Sequence, residues 1–323
     1  MDREEIDPEL GLLFDDMAGN GKLYALERLL WIELWRVPVL EAVDECGIEA
    51  RHYGPIRVFA SRSEPCTAMF NVLLGADRPG AVTDGHLAGA LNWTESLGLD
   101  CRVPVRGGAE FGEPGEAEDH LNRRGYRRTG VLATFVRGLA PSPFQPSAIE
   151  VERLVDEAKA ESFNYFLEAG YGVEWSGSFF FMGLLRRQEW RCYMASDETG
   201  PLASAATMMH CEVPQLVFAG TAEGARGRGA HAALLHRAIE DIRASGNGRA
   251  LSGPEGIFAI TDEALDCPNS FSPGARNLVR AGFRLADIRT VWQPPAELVA
   301  PEDDGEEGRD EDPGDDHSFE FGG

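Results

Sequence analysis

A glycine- and arginine-rich segment in the C-terminal half contains the residues best suited to chemistry. It has the sequence AGTAEGARGRGAH, residues 219–231, and it follows an apolar run that predicts a strand. Gly227 and Gly229 have no side chains, so an anion can approach the backbone, and Arg226 and Arg228 supply two cations. A helix is predicted to begin at once, and its first amides and positive dipole end attract phosphate. The segment therefore predicts a phosphate-binding turn between a strand and a helix.

Two familiar phosphate loops fit this segment poorly. Gly224 and Gly229 have the spacing of a Walker loop, but the Lys and the hydroxyl residue that must follow are missing, which excludes that kind of triphosphate site. A dinucleotide fingerprint is matched at Gly227, Gly229 and Ala232. It lies late in the chain, after a predicted hairpin, and no acidic residue is well placed about 20 residues on. Dinucleotide binding stays a secondary alternative.

The segment resembles the acetyl-CoA loop of the GNAT N-acetyltransferase family, commonly written [RQ]xxGx[GA]. Arg226 and Gly229 match that pattern, whereas His231 stands where the family has Gly or Ala. The later stretch SPGARNLVRAGFRLADIRTVW is similar to the family's closing helix, Gly-Phe pair and last strand. Asn277, within it, matches an asparagine that such members often place in this helix.

The resemblance implies an enzyme that transfers an acetyl group from acetyl-CoA to an amine without a metal. By resemblance, the strand before the turn diverges from its neighbour, and the pantetheine arm lies in the gap while the turn holds the diphosphate. The implied cofactor-binding residues are Ala219, Gly220, Thr221, Arg226, Gly227, Arg228, Gly229, Ala230, His231 and Asn277.

The implied reaction is direct attack of an unprotonated amine on the thioester carbonyl, with backbone donors near Thr221 stabilising the oxyanion. We select Thr221, Glu223 and Glu263 as catalytic candidates because the two carboxylates fall near the ends of predicted central strands and could accept a proton. Glu255 and Asp262 are similarly placed, and all four carboxylates could equally be solvated surface groups. Leu278 stands where many members have a Tyr acid. A non-catalytic acyl-CoA-binding or interaction module is therefore the alternative function.

The order of predicted elements repeats along the chain, which indicates two copies of one α+β unit. FNVLLGA (70–76) and RRGYRRTGVLATFVR (123–137) resemble a degenerate GNAT unit without a Gly-Arg loop. We expect an α+β fold of two tandem GNAT-like units, each a mixed, mostly antiparallel sheet flanked by helices, preceded by N-terminal helices. The expected boundaries are 1–140 for the degenerate domain, 147–296 for the acetyl-CoA-binding domain and 297–323 for a disordered acidic tail.

Local patterns predict the elements around these motifs. A helix is expected over 85–97, with Asp84 as its N-cap, and a second helix over 147–170. Strands at 190–195 and 202–210 are expected to be joined by a DETG turn. Aromatic residues are frequent in 150–185. They either pack in the core, as clustered aromatic residues more often do, or line the acceptor pocket, as this segment often does in this fold class.

Composition narrows the function further. The chain has 323 residues and a net charge of −24, which argues against electrostatic binding to nucleic acid or an anionic membrane. Residues 301–323 hold eleven carboxylates and one Arg, which predicts disorder. The six cysteines form no CxxC pair and suggest no zinc site, and neither a secretory signal nor a long apolar span is evident. We therefore expect a cytoplasmic protein whose acceptor is a small-molecule or protein amine, with the oligomeric state open.

Overall fold

The computed structural model describes most of the chain between Gly47 and Val299. The described ranges are 47–62, 71–106, 115–144, 148–155, 157–171, 183–209, 214–245, 256–263 and 271–299. The predicted N-terminal helices and the acidic tail from residue 300 onward lie outside these ranges. No helix among the described residues is long and apolar enough to cross a membrane.

Within these ranges the chain forms strands, helices and short 3₁₀ turns. The strands are β1 (Ile48–Tyr53), β2 (Ile56–Ser61), β3 (Val72–Leu74), β4 (Val103–Val105), β5 (Arg127–Arg137), β6 (Glu150–Leu154), β7 (Trp190–Asp197), β8 (Gly200–Met208), β9 (Gln215–Thr221), β10 (Ile257–Glu263) and β11 (Arg284–Gln293). The helices are α1 (His86–Ser96), α2 (Glu116–Arg123), α3 (Ala160–Tyr171), α4 (Ala230–Ser245) and α5 (Pro273–Arg280). The 3₁₀ turns are Glu157–Lys159, Glu223–Ala225 and Ala296–Leu298.

The strands form two sheets. One has three antiparallel strands in the order β1-β2-β3, and the other has eight strands in the order β4-β11-β5-β10-β9-β8-β7-β6. In the larger sheet β9 and β10 are parallel and every other paired neighbour is antiparallel. The expected mixed, mostly antiparallel α+β architecture is confirmed.

Strands from the two halves of the chain are exchanged within the larger sheet. β5, from the first half, lies between β10 and β11 of the second half, and β11 in turn lies between β5 and β4. The β5–β11 register runs from Arg127 opposite Gln293 to Val136 opposite Arg284. The sheet therefore crosses the expected boundary at 140–147, and the boundary itself stays a prediction.

The two halves repeat the same helix ending. Phe283 donates its amide to the Leu278 carbonyl at 3.0 Å after α5, and Tyr126 donates to the Leu121 carbonyl at 3.1 Å after α2. The intervening glycines have φ of +87° and +83°, a region that side chains disfavour. The repeated Gly-aromatic pair in the sequence thus corresponds to one repeated helix–turn–strand unit.

Three local expectations need correction. The predicted helix over 147–170 begins only at Ala160, because residues 150–154 pair with β7 as the edge strand β6. The N-cap of α1 is Gly85 with φ of +74°, not Asp84. The expected tail starts inside an ordered turn, since Ala296–Leu298 form a 3₁₀ turn. The DETG turn between β7 and β8 is confirmed, with Gly200 at φ of +118°.

Helices cover both faces of the second-half sheet. On one face α3 buries Phe163, Phe166 and Leu167 against a cluster that includes Trp190 and Phe218. On the other face α4 and α5 bury Leu235, Ile239, Ile242 and Leu278 against residues of β5 and β10. The sheet that contains β9 and β10 is therefore packed against helices on both faces.

Candidate functional site

β9 and β10 are paired over only the first part of their length. The parallel register joins Phe258 to Gln215 and Ala259 to Leu216, and no further pairs follow. The β8–β9 register shifts between Ala206 and Thr207, which leaves Val217 as an extra residue on β9. A bulge of this kind bends a strand. Because the bulge directly follows the last β9–β10 pair, the two strands diverge there, as the sequence resemblance implied.

Hydrogen bonding to β8 fixes which β9 backbone groups face the gap. Ala222 donates its amide to the Leu202 carbonyl at 3.1 Å, just beyond the strand. In antiparallel pairs the hydrogen-bonded positions alternate. Gly220, opposite Ser204, therefore bonds to β8, whereas the N–H and C=O groups of Ala219 and Thr221 point to the side of β10. Two of the three predicted backbone positions thus line the gap.

Gly220 has a different environment from the one expected. A Cβ atom at Gly220 would lie 1.8 Å from the Phe166 carbonyl oxygen of α3. The same helix is tied to β8, because the buried Ser204 hydroxyl donates to the Phe163 carbonyl at 2.8 Å. Gly220 therefore allows α3 to lie directly on the sheet beside the gap, and its own backbone does not face it.

The turn after β9 leaves several amides without acceptors. Ala225, Arg226 and Arg228 donate to carbonyls within the turn at 2.9, 3.1 and 3.3 Å. Gly227 and Gly229 have φ of +79° and +92°, which allows the chain to reverse before α4. Among the described residues, no acceptor is found for the amides of Gly227, Gly229, Ala230, His231 and Ala232. The predicted cluster of donors at a helix start is therefore present.

The two arginines of the turn are not equivalent. Arg228 forms an ion pair with Asp197 and contacts the Thr199 hydroxyl at 3.4 Å, so it anchors the turn to the β7–β8 hairpin. The hydroxyl and amide of Thr199 also donate to Asp197 at 2.6 and 2.8 Å, which lowers the pKa of that carboxyl. Arg226 is exposed and has no ion-pair partner in the described part of the chain. Arg226 is the guanidinium that remains available to an anion.

Two predicted site residues are hydrogen-bonded to each other. The Asn277 amide nitrogen lies 2.9 Å from Nδ1 of His231. With Asn277 donating, Nδ1 accepts, so the ring proton resides on Nε2. Burial lowers the pKa of His231 to about 4, so the ring is neutral at physiological pH. Sequence reasoning selected both residues but gave no indication of their contact, because 46 residues separate them.

The remaining candidates lie around the same strand ends. Glu223 is exposed and begins the 3₁₀ turn two residues after Thr221. Glu263 ends β10, where its backbone is opposite Val131. Glu255 lies outside the described residues. Leu278, at the position of the missing Tyr, is buried in the cluster beneath α5.

Solved structures with the same architecture identify the fold. A GCN5-related N-acetyltransferase from Sphaerobacter thermophilus has a TM-score of 0.56 at 13% identity, over 76% of this chain and 80% of that one. Another from Kribbella flavida has a TM-score of 0.51 at 13% identity, over 77% and 90%. A Drosophila protein has a TM-score of 0.51 at 13% identity, over 90% and 97%. The chain has a GCN5-related N-acetyltransferase fold. Its sequence matches no family profile and no curated protein.

The first half of the chain has a strand–loop–helix segment comparable to the site, and only some of the amides of its loop are hydrogen-bonded. Its parallel contact is equally short, with Leu73 donating to the Arg102 carbonyl at 2.8 Å. In the loop that follows β3, the amides of Arg78, Ala81, Asp84, Gly85 and Leu87 all donate to carbonyls of the same loop.

Side-chain contacts also connect the ends of β3 and β4 in the first half. Asp77 accepts the amide of Arg106 at 3.1 Å, just beyond β4, and Arg106 forms a bidentate pair with Asp287 at 2.8 and 2.9 Å. Arg106 thus ties the loop after β3 in the first half to β4 and β11.

Proposed function

We propose that this protein is an N-acetyltransferase whose second GNAT-like unit transfers an acetyl group from acetyl-CoA to a primary amine. The observation that supports this most strongly is the divergence of β10 from β9 at the Val217 bulge, with the backbone of Ala219 and Thr221 facing the gap. The acceptor is a small-molecule or protein amine, and the setting is the cytoplasm. Acyl transfer in general is consistent with the fold of the solved neighbours.

The residues of the turn fit a diphosphate. Five amides without acceptors surround the start of α4, and the dipole of that helix adds positive potential. Arg226 adds a full charge in a chain whose net charge is −24, so a local cation is needed to offset repulsion of an anionic ligand. In this proposal the turn holds the diphosphate of acetyl-CoA, and Ala219 and Thr221 bond to its pantetheine arm.

The residues of the chain then supply orientation, charge stabilisation and proton transfer. Bound acetyl-CoA contributes an acetyl group activated as a thioester. The Thr221 amide donates to the carbonyl oxygen as negative charge develops there, which lowers the barrier. Glu223 or Glu263 accepts the proton that the substrate ammonium loses before the neutral amine attacks. As the N–C bond forms, the C–S bond of the thioester breaks, and the second proton of the nitrogen passes to the departing thiolate. The neutral His231 ring, oriented by Asn277, presents its Nε2–H as a further donor near the helix start.

The proposal is tested by thiol release. Full-length protein is incubated with acetyl-CoA and a library of primary amines, and free coenzyme A thiol is measured. We expect release that depends on at least one amine and falls at least tenfold in an Arg226→Gln/Arg228→Gln variant. Arg280→Gln, an exposed arginine at the end of α5, is the matched control and should retain activity. Equal rates in the double variant and the control would refute the site.

A module that binds acyl-CoA without turnover is the second candidate, and the buried Leu278 favours it because no Tyr hydroxyl is available there to protonate a thiolate. Saturable binding of acetyl-CoA with no thiol release across the library would support this candidate. The dinucleotide alternative is disfavoured, because β9 is antiparallel to β8 instead of lying in a doubly wound parallel sheet.

A further inference from the structure

Helix α3 lies against β8 and β9 with its main chain in contact with the sheet. Ser204 of β8 is directly opposite Gly220 of β9, and both residues face α3. The Ser204 hydroxyl donates to the Phe163 carbonyl at 2.8 Å, and a Cβ atom at Gly220 would lie 1.8 Å from the Phe166 carbonyl oxygen. These two carbonyls are about one helical turn apart. The small Ser204 and the bare Gly220 therefore allow the backbone of α3 to lie directly on the two strands.

This contact is adjacent to the gap between β9 and β10. Gly220 lies between Ala219 and Thr221, the two residues whose backbone groups face the gap. Neighbouring residues of a strand are joined by planar peptide units, so their backbone groups do not move independently. The position of Gly220 against α3 therefore determines where the amides of Ala219 and Thr221 are held.

The apolar cluster beneath α3 contacts both strands that border the gap. Val217, the bulge residue of β9, and Ile260 of β10 are both partly buried against the cluster that contains Phe166. Ile260 directly follows Ala259, the last residue of β10 that pairs with β9. Contacts with one helix therefore hold β9 and β10 at the point where the pairing between them ends.

Ser204 is the polar residue in this contact. It is 0% exposed, and its neighbours on the same face of the sheet include Met194 and Ala206 of the apolar cluster. Apolar packing has no preferred direction, whereas a hydrogen bond restricts both distance and angle. The bond from Ser204 to the Phe163 carbonyl therefore fixes the position of α3 along the strands, which packing alone does not.

We propose that Ser204 is a positioning residue for acetyl-CoA. Through α3 it holds Ala219 and Thr221 where their backbone groups bond to the pantetheine arm, and it does not itself contact the ligand. Its effect is confined to the gap, because the phosphate-binding turn is anchored separately by the ion pair of Arg228 with Asp197. This inference rests on the proposed function, which assigns the gap and the turn to acetyl-CoA.

The test is hydrogen exchange resolved to single amides, in full-length protein with and without saturating acetyl-CoA. In the unaltered protein, acetyl-CoA should slow exchange at least tenfold at Ala219 and Thr221 in the gap and at Gly229 in the turn. In Ser204→Ala the slowing should be lost at Ala219 and Thr221 and kept at Gly229. Slowing that is kept at all three amides of this variant, or lost at all three, would overturn the positioning role. Absence of slowing at all three amides in the unaltered protein would instead refute the proposed function, and this role with it.

Two further variants separate the hydrogen bond from packing. Ser204→Cys fills the space of the hydroxyl with a weak donor and should behave like Ser204→Ala, and it decides the result if Ser204→Ala does not fold. Thr207→Ser removes a methyl group from another buried residue of β8, 1% exposed, whose side chain is on the face opposite α3. It should keep the slowing at all three amides. Normal slowing in Ser204→Cys would assign the effect to volume, and loss of slowing in Thr207→Ser would assign it to general destabilisation. Either result would overturn the role of the Ser204 hydroxyl.

Discussion

His231 connects the phosphate-binding turn to helix α5 at the residue scale. It stands where related loops have Gly or Ala, and it fills that position with a ring that bonds to Asn277 at 2.9 Å. Because burial lowers the pKa of His231 to about 4, the ring is neutral at physiological pH and keeps its proton on Nε2. The histidine that replaces Gly or Ala in this loop thus forms a hydrogen-bonded pair with Asn277.

The lowered pKa of His231 predicts acid sensitivity of the fold. A folded-state pKa below the ordinary value of 6.5 favours the neutral form, so its contribution to stability is complete above pH 6.5 and is lost as pH falls towards 4. We expect this group to reduce the free energy of unfolding by about 1.4 kcal/mol between pH 7.5 and 5.5. Urea unfolding at the two pH values measures the change.

In His231→Gln, the free energy of unfolding should no longer show this decrease of about 1.4 kcal/mol between pH 7.5 and 5.5. His86→Gln removes a half-buried histidine from the start of another helix and should keep it. Identical pH dependence in the unaltered protein and His231→Gln would contradict the environment assigned to this ring.

At the element scale, the sequence predicted the site-bearing strand, turn and helix well. Leu216–Thr221 and Ala230–Ser245 have strong local patterns, and the glycines at 227 and 229 identify the turn. The Val217 bulge was not predicted, because a bulge is set by register against a neighbouring strand and has no pattern of its own. The strand Glu150–Leu154 was missed because its residues also fit a helix, and pairing with β7 overrides that preference.

The contact between β9 and α3 gives a prediction for Gly220. Gly220→Ala would place a methyl group against the Phe166 carbonyl, and neither backbone can move freely in this core. We expect a loss of about 3 kcal/mol or more in the free energy of unfolding, measured by urea denaturation.

Gly224→Ala is the control for Gly220→Ala. Gly224 lies in the 3₁₀ turn with nothing within 4 Å of an added Cβ, so alanine should be tolerated there. Equal stability of the two variants would show that α3 does not lie against β9 as described.

At the scale of the whole molecule, the exchange of β5 and β11 makes the two halves interdependent. The repeated order of elements predicted two related units, but the sequence does not indicate which sheet each final strand joins. Both strands pair antiparallel with their neighbours, and partner choice depends on contacts more than a hundred residues apart. The two halves therefore share strands within the larger sheet, while β1, β2 and β3 form a sheet of their own.

The exchange predicts that the second unit does not fold alone. A fragment of residues 141–299 lacks β5, so β10 and β11 lose the strand between them and the buried cluster on that face loses Phe135. We expect no cooperative thermal transition for this fragment by circular dichroism. Addition of a separately produced 1–140 fragment should restore one. A fragment 141–299 that unfolds cooperatively by itself would contradict the exchange.

Calorimetric titration of the full-length protein with acetyl-CoA tests whether the turn at residues 226–231 binds its diphosphate. The turn in the second half combines open amides with the exposed Arg226. We predict one molecule bound per chain, with an affinity at least tenfold lower in Arg226→Gln/Arg228→Gln and unchanged in Arg280→Gln. No heat of binding, two molecules bound per chain, or an affinity unchanged by the double substitution would rule out acetyl-CoA binding at this turn.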